Sequence, residues 1–107
     1  MSLNMTSPGE FSLEGLVTFD NAAVIASEGE AALQRFLRDQ PGQRLEVSLS
    51  KMEQLDSSAL SVFLSWMRFA KNNGTTICFS GVPAQLEALA NVCDMKDLIA
   101  GMSCQLY

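Results

Sequence analysis

Asp56, Ser57 and Ser58 stand together in QLDSSAL, residues 54–60, between an alternating stretch, LEVSLS, and a helix-like stretch, ALSVFLSWMRFAKNNG. An acid followed by two hydroxyls at such a junction supports two kinds of chemistry. One is helix capping: a side-chain oxygen of Asp56 or Ser57 accepts a bond from a free backbone N–H, worth ~1 kcal/mol, and the carboxylate favours the positive end of the helix. The other is presentation of a hydroxyl. In an open α/β sheet the loop leaving the carboxyl end of a strand is a favoured binding position. A phosphate placed there would meet free N–H groups and the positive dipole end. Its charge would also sit beside Asp56 and repel a close-fitting or acidic partner. The residues alone leave both readings open.

Other chemistry finds little support. The chain has no histidine, which removes Ser-His and Cys-His nucleophile pairs and most zinc sites. Its seven glycines form neither GxGxxG nor GxxxxGK[ST], so the familiar nucleotide cradles are absent. Glu28 and Glu30 read as acids near a helix start rather than as a catalytic pair. Trp66, Met67 and the other methionines read as packing residues. No catalytic residue, cofactor or metal is therefore expected, and the chain does not read as an enzyme. Cys78, Cys93 and Cys104 are odd in number and lack CxxC spacing, so the expectation is reduced, mostly buried thiols in a cytoplasmic protein.

The bulk figures agree. The 107 residues suit one domain able to bury a core. With 48% hydrophobic and 18% charged residues the composition is that of a globular protein. A net charge of −5 without a basic patch argues against nucleic acid and anionic membrane as partners. No apolar run approaches the ~18 residues of a spanning helix, so direct membrane insertion is not expected. MSLNMTSPGE lacks a basic n-region and an apolar h-region, so no signal peptide is expected.

These residues need elements to position them. Residues 1–10 are polar, carry Pro8-Gly9, and read as a flexible lead-in with room for a short edge strand; the domain proper is expected over 11–107. FSLEGLVTF alternates at its start and predicts a strand, with Gly15 marking its end or a bulge. A helix follows. Asp20 or Asn21 is expected to cap it, Ser27-Glu28-Gly29-Glu30 has capping-box spacing, and a break near Gly29 is allowed. Ala32, Leu33, Phe36 and Leu37 mark its inner face, and Pro41-Gly42 its end. RLEVSLS predicts a second strand. From Ser58 the set Ala59, Leu60, Phe63, Leu64, Met67 and Ala70 has helical spacing, and Asn73-Gly74 stops the helix. TTICFS predicts a buried strand. Pro83 suits the first turn of a third helix with Leu86, Leu89 and Ala90 inward. Leu98 and Ile99 are expected to close the core, and the last residues to add an edge strand. Strands separated by helices imply parallel pairing. The fold class is α/β: a single small domain with a mostly parallel four- to five-stranded sheet and helices mainly on one face.

LEVSLSKMEQLDSSALSVFLSWMRFAKNNGTTICFSGVPAQLEALANVCDMKDLI resembles the STAS domain family, which includes the bacterial anti-sigma factor antagonists, and the likeness covers residues 11–100. In the antagonists the hydroxyl residue directly after the Asp is the phosphoacceptor, which the resemblance places at Ser57. Where the family usually has Gly, this chain has Ala59. GLVTFDNA, FLSWMRFAKNNG and GVPAQLEALANV look more like the MlaB-type subunit of the ABC system that moves phospholipids between bacterial membranes. Thr18 stands where the antagonists often carry an acid, which favours the transporter likeness. The resemblance implies a non-catalytic cytoplasmic subunit, held at the inner face of the membrane by its transporter. It would bind and support the ABC ATPase through Asp56, Ser57, Ser58, Ser61, Ser65 and Arg68, with help from the 83–92 helix. The alternative is an anti-sigma factor antagonist whose partner is a serine kinase acting on Ser57.

Overall fold

The structure, a computed structural model, describes residues 2–94 and 101–104. Its sheet has five strands. β1 (Ser2–Ser7) pairs antiparallel with β2 (Glu10–Val17), and β2 runs parallel to β3 (Leu45–Ser48). β3 is parallel to β5 (Ile77–Ser80), and β4 (Met52–Leu55) is parallel to the end of β2. The helices are α1 (Ala22–Asp39), α2 (Ser58–Asn72) and α3 (Ala84–Val92). The order is a small α/β domain with a mostly parallel sheet, as the alternation of elements predicts.

Residues 1–10, read as a lead-in with room for a short edge strand, supply that strand as β1, whose residues 2–5 pair with residues 11–14 of β2. β4 was not expected: Met52 is half-buried and Leu55 buried, but Glu53 and Gln54 between them are both exposed, so MEQL shows no period of two. It pairs with the end of β2 through a bulge of its own: Gly15 pairs with Met52, but the next residue, Leu16, pairs with Gln54, which leaves Glu53 as the extra residue before Val17 pairs with Leu55.

One face of the sheet makes the core. Phe11, Leu13 and Val17 of β2, Leu45 and Val47 of β3, and Ile77 and Phe79 of β5 are buried, while their neighbours Glu46, Ser48, Cys78 and Ser80 are half-buried on the opposite face. α1 turns Ile25, Gly29, Leu33 and Leu37 inward, a repeat of four residues that stays on one helical face. It is unbroken at Gly29. The Ser27–Glu30 capping box falls mid-helix and caps nothing, and Asn21 uses its side chain elsewhere, as described below.

Gly29 is in a helix because of Trp66. A Cβ built on Gly29 would lie 2.2 Å from Trp66 Cζ2 and 2.7 Å from Nε1. The indole is buried, stacks 6.4 Å from Phe79, packs beside Phe63 at 5.8 Å, and donates its N–H to the carbonyl of Ala26 at 3.1 Å. Its nitrogen-bearing edge thus sits against bare α1 backbone and satisfies its own polar atom there. The inner face of α2 is accordingly centred on Val62, Phe63, Trp66 and Ala70, with Leu64 and Met67 half-buried at its margins rather than central as the spacing predicts. α2 ends in a Schellman closure: Thr75 N–H reaches Ala70 O at 3.0 Å, Gly74 N–H reaches Lys71 O at 3.2 Å, and Gly74 takes φ +72°.

The remaining differences are local. Pro83 caps α3 instead of opening its first turn. Cys78 and Cys104 form a disulfide and Cys93, a free thiol, is exposed, so the expectation of reduced, mostly buried thiols fails for the pairing and for the burial of Cys93. The pairing arises because Ser103 bridges Phe79 and Cys104 N–H bonds to Phe79 O, which lays the end of the described chain beside β5. Leu98, Ile99 and residues 105–107 lie outside the described residues. Among the described residues no helix is long and apolar enough to cross a membrane.

Gly29→Ala tests the helix contact. Alanine gains roughly 0.5–1 kcal/mol of helix preference over glycine, but forcing a methyl into a packed core costs about 1–3 kcal/mol. The indole cannot retreat without leaving Phe79 and Ala26. Net destabilisation is expected in denaturant melts followed by the fluorescence of Trp66, the sole tryptophan; an unchanged or raised midpoint would show that the contact is loose.

Candidate functional site

β2, β3, β4 and β5 all run parallel, so their carboxyl ends share one end of the sheet. Three chain segments meet there: the β2–α1 loop at 18–21, the β4–α2 junction at 56–57 and the β5–α3 turn at 81–83. Asp56 ties the first two. Its backbone N–H donates to Val17 O at 3.1 Å, and its Oδ2 accepts the Phe19 N–H at 2.9 Å. Its Oδ1 accepts the Ser58 N–H at 2.9 Å and also the Ser58 hydroxyl. The third segment joins through Gln85, whose amide donates to Leu55 O at 2.9 Å.

Asp56 is therefore the cap of α2, bonding the N–H two residues on while Ala59 N–H takes the Asp56 carbonyl at 3.0 Å. The capping reading is correct for Asp56 and not for Ser57, whose side chain caps nothing. The Ser58 hydroxyl and then the Phe19 N–H hold the Asp56 carboxyl below the usual carboxylate range; the upward push from burial is weaker than either, and the Ser58 N–H adds a still smaller downward pull. A carboxyl whose folded pKa is depressed stabilises the fold above its unfolded pKa, and the contribution fades as pH falls through the folded value. At neutral pH the tie is ionised and complete.

With Asp56 and Ser58 engaged on each other, Ser57 is left exposed, and its hydroxyl has no hydrogen-bond partner among the described residues. From it the residues 57, 61, 65 and 68 follow at steps of four, four and three, one stripe along α2. Ser61, Ser65 and Arg68 line an open groove of about 330 Å³ with Leu64, Asn72 and Glu30 of α1. Ser65 donates to Glu30 Oε1 at 3.2 Å. The structure thus brings five of the six sequence-selected residues to one exposed helix start and its stripe. The sixth, Ser58, turns its hydroxyl back to Asp56.

Phe19 was not singled out from the sequence. Its side chain is 85% exposed in the loop that Asp56 holds. The loop is closed from the other side by Asn21: its Oδ1 accepts the Thr18 N–H at 2.8 Å and its Nδ2 donates to Leu16 O at 3.1 Å. That is the work Asn21 does in place of a cap. A large aromatic on a doubly tied loop costs little entropy to bury against a partner. Val24, near the start of α1, is also exposed. The only cue in the sequence was an aromatic between turn-forming residues, TFDN, where periodicity says nothing.

The described geometry has known counterparts. The sequence finds no match among curated proteins. A solved structure of the anti-sigma factor antagonist SpoIIAA in its unphosphorylated form is similar in fold, with a TM-score of 0.59, 11% sequence identity, and coverage of 91% of this chain and 83% of that one. At that identity the likeness speaks for the fold alone. The family described as "Mlab, STAS domain" matches residues 6–100. By that match, over nearly its whole length, the chain belongs to the MlaB-type STAS domain family.

Proposed function

We propose that this chain is a non-catalytic STAS subunit that binds the ATPase of a bacterial ABC phospholipid transporter and supports its assembly or activity, on the cytoplasmic side of the inner membrane. The observation that carries the reading is the MlaB-type family match over residues 6–100. The local geometry supports docking as the mode of action. Among the described residues, an unpaired hydroxyl, an exposed aromatic and a stripe of serines share one surface, and the charged residues lining the α2 groove are Arg68 and Glu30. A serine-rich, weakly charged helix face permits close approach, whereas a merely solvated face usually carries more Glu and Lys. In this reading Phe19 is the anchor, Ser57 is the contact beside it, and Asp56 positions both.

A second reading has one specific observation behind it. The free Ser57 hydroxyl, directly after an ionised Asp56 at a helix start, is accessible to a serine kinase. In an anti-sigma factor antagonist, phosphate there would place about −1.5 to −2 charges against any partner already fitted to the site. The same surface serves both readings; the partner differs.

Two variants test the transporter reading on the purified ATPase subunit. Ser57→Glu adds a bulky charge beside Asp56 and should weaken binding at least about tenfold, or ~1.4 kcal/mol, with an unchanged circular dichroism spectrum. Unchanged affinity would remove Ser57 from the contact. Phe19→Ala should cost about 2 kcal/mol of binding, whereas Met5→Ala, an exposed side chain on β1, should cost none. Equal effects from the two would contradict an anchor at Phe19.

A further inference from the structure

The polar face of the sheet carries a cluster that the docking surface does not use. Glu46 of β3 and Cys78 of β5 are partners in register, so their side chains stand side by side on the same face. The segment bridged to Phe79 lays Cys104 next along the same row. One carboxylate oxygen of Glu46 and the two sulfurs lie within 4.8 Å of one another, and all three residues are half-buried. Ser80 Oγ donates to Glu46 Oε2 at 3.4 Å, which leaves the other carboxylate oxygen free to turn toward the sulfurs. Glu10, the register partner of Glu46 on β2, adds a second acid to the row. The row opens onto a depression of about 300 Å³, lined also by Arg44 and Gln43, which admits water and small ions.

We propose that Cys78, Cys104 and Glu46 form a redox-gated site for a soft divalent metal ion, with Zn²⁺ the best fit. Two thiolates and one carboxylate are ligands that Zn²⁺ takes, with the fourth tetrahedral position left for water from the depression. The Ser80 hydrogen bond orients the carboxylate as an outer partner. The disulfide and the metal exclude each other, because both sulfurs are spent on the S–S bond. A dithiol reductant opens the site: the chain's S–S bond breaks, the reductant's two S–H bonds become its own S–S bond, and two electrons and two protons pass to Cys78 and Cys104. Binding of Zn²⁺ by the two thiols then releases those two protons. Oxidation by a disulfide of the same class runs the sequence backwards and expels the ion.

The proposal is tested with the full chain, reduced by a dithiol, desalted without oxygen, and titrated with Zn²⁺ against a chromophoric chelator. The reduced protein should bind one equivalent, and bound Zn²⁺ should shield two of the three thiols from alkylation. The oxidised protein should bind none. Glu46→Gln, close to isosteric, should weaken binding about tenfold or more, Cys104→Ser should abolish it, and Cys93→Ser should leave it unchanged. Absence of binding by the reduced protein would overturn the site. So would equal binding by the oxidised form, indifference to Glu46→Gln, or loss in Cys93→Ser.

Discussion

The seating of Trp66 on the bare backbone at Gly29 sets the geometry of everything outside the sheet. It fixes how near α1 and α2 approach and how α2 is rotated about its axis. The indole ties the two helices to each other through Ala26 O and to the sheet through Phe79. With Val62, Phe63, Trp66 and Ala70 turned inward, the opposite stripe of α2, beginning at Ser57, has to face solvent. The exposed stripe is thus a consequence of core packing, since a helix cannot turn one face inward without fixing the other.

Asp56 does at the end of the sheet what Trp66 does in its core. One carboxylate accepts from both the α2 start and the β2–α1 loop, and those bonds keep it ionised at neutral pH. Because it satisfies the helix start, Ser57 is released from capping; because it holds Phe19 by the backbone, the ring is left outside. The two chemical readings of the Asp-Ser-Ser run are therefore compatible, one residue capping so that the next can be presented. Membership of the MlaB-type STAS family places this arrangement in a setting where interaction with another protein is the expected activity.

Much of this was legible before any coordinates. Phe11, Leu13, Leu45, Val47, Ile77 and Phe79 declare three strands by alternation or β-branched bias, and Leu33 and Leu37 declare α1 by helical spacing. The Asp-Ser-Ser junction was legible because capping chemistry is local. What was lost depends on distant partners. Gly29 reads as a break in sequence because its reason, Trp66, lies 37 positions away in the numbering and 2.2 Å away from its missing Cβ in space. β4 is defined by its pairing with the distant end of β2, and its own bulge at Glu53 breaks the alternation that would have marked MEQL as a strand. Phe19 has no periodic neighbour, and the Cys78–Cys104 pairing depends on a chain end that docks beside β5.

The proposed contact between the surface around Ser57 and an ABC ATPase can be tested in the cell. The most direct measurement is photocrosslinking in intact cells of the source organism from a photoreactive residue placed at position 57, with mass spectrometry of the adduct. The account predicts a covalent adduct to the ATPase subunit of a phospholipid transporter, lost when the reactive residue is moved to the β1 edge at position 5. An adduct to a serine kinase instead, or an ATPase adduct from position 5 but not from position 57, would contradict it.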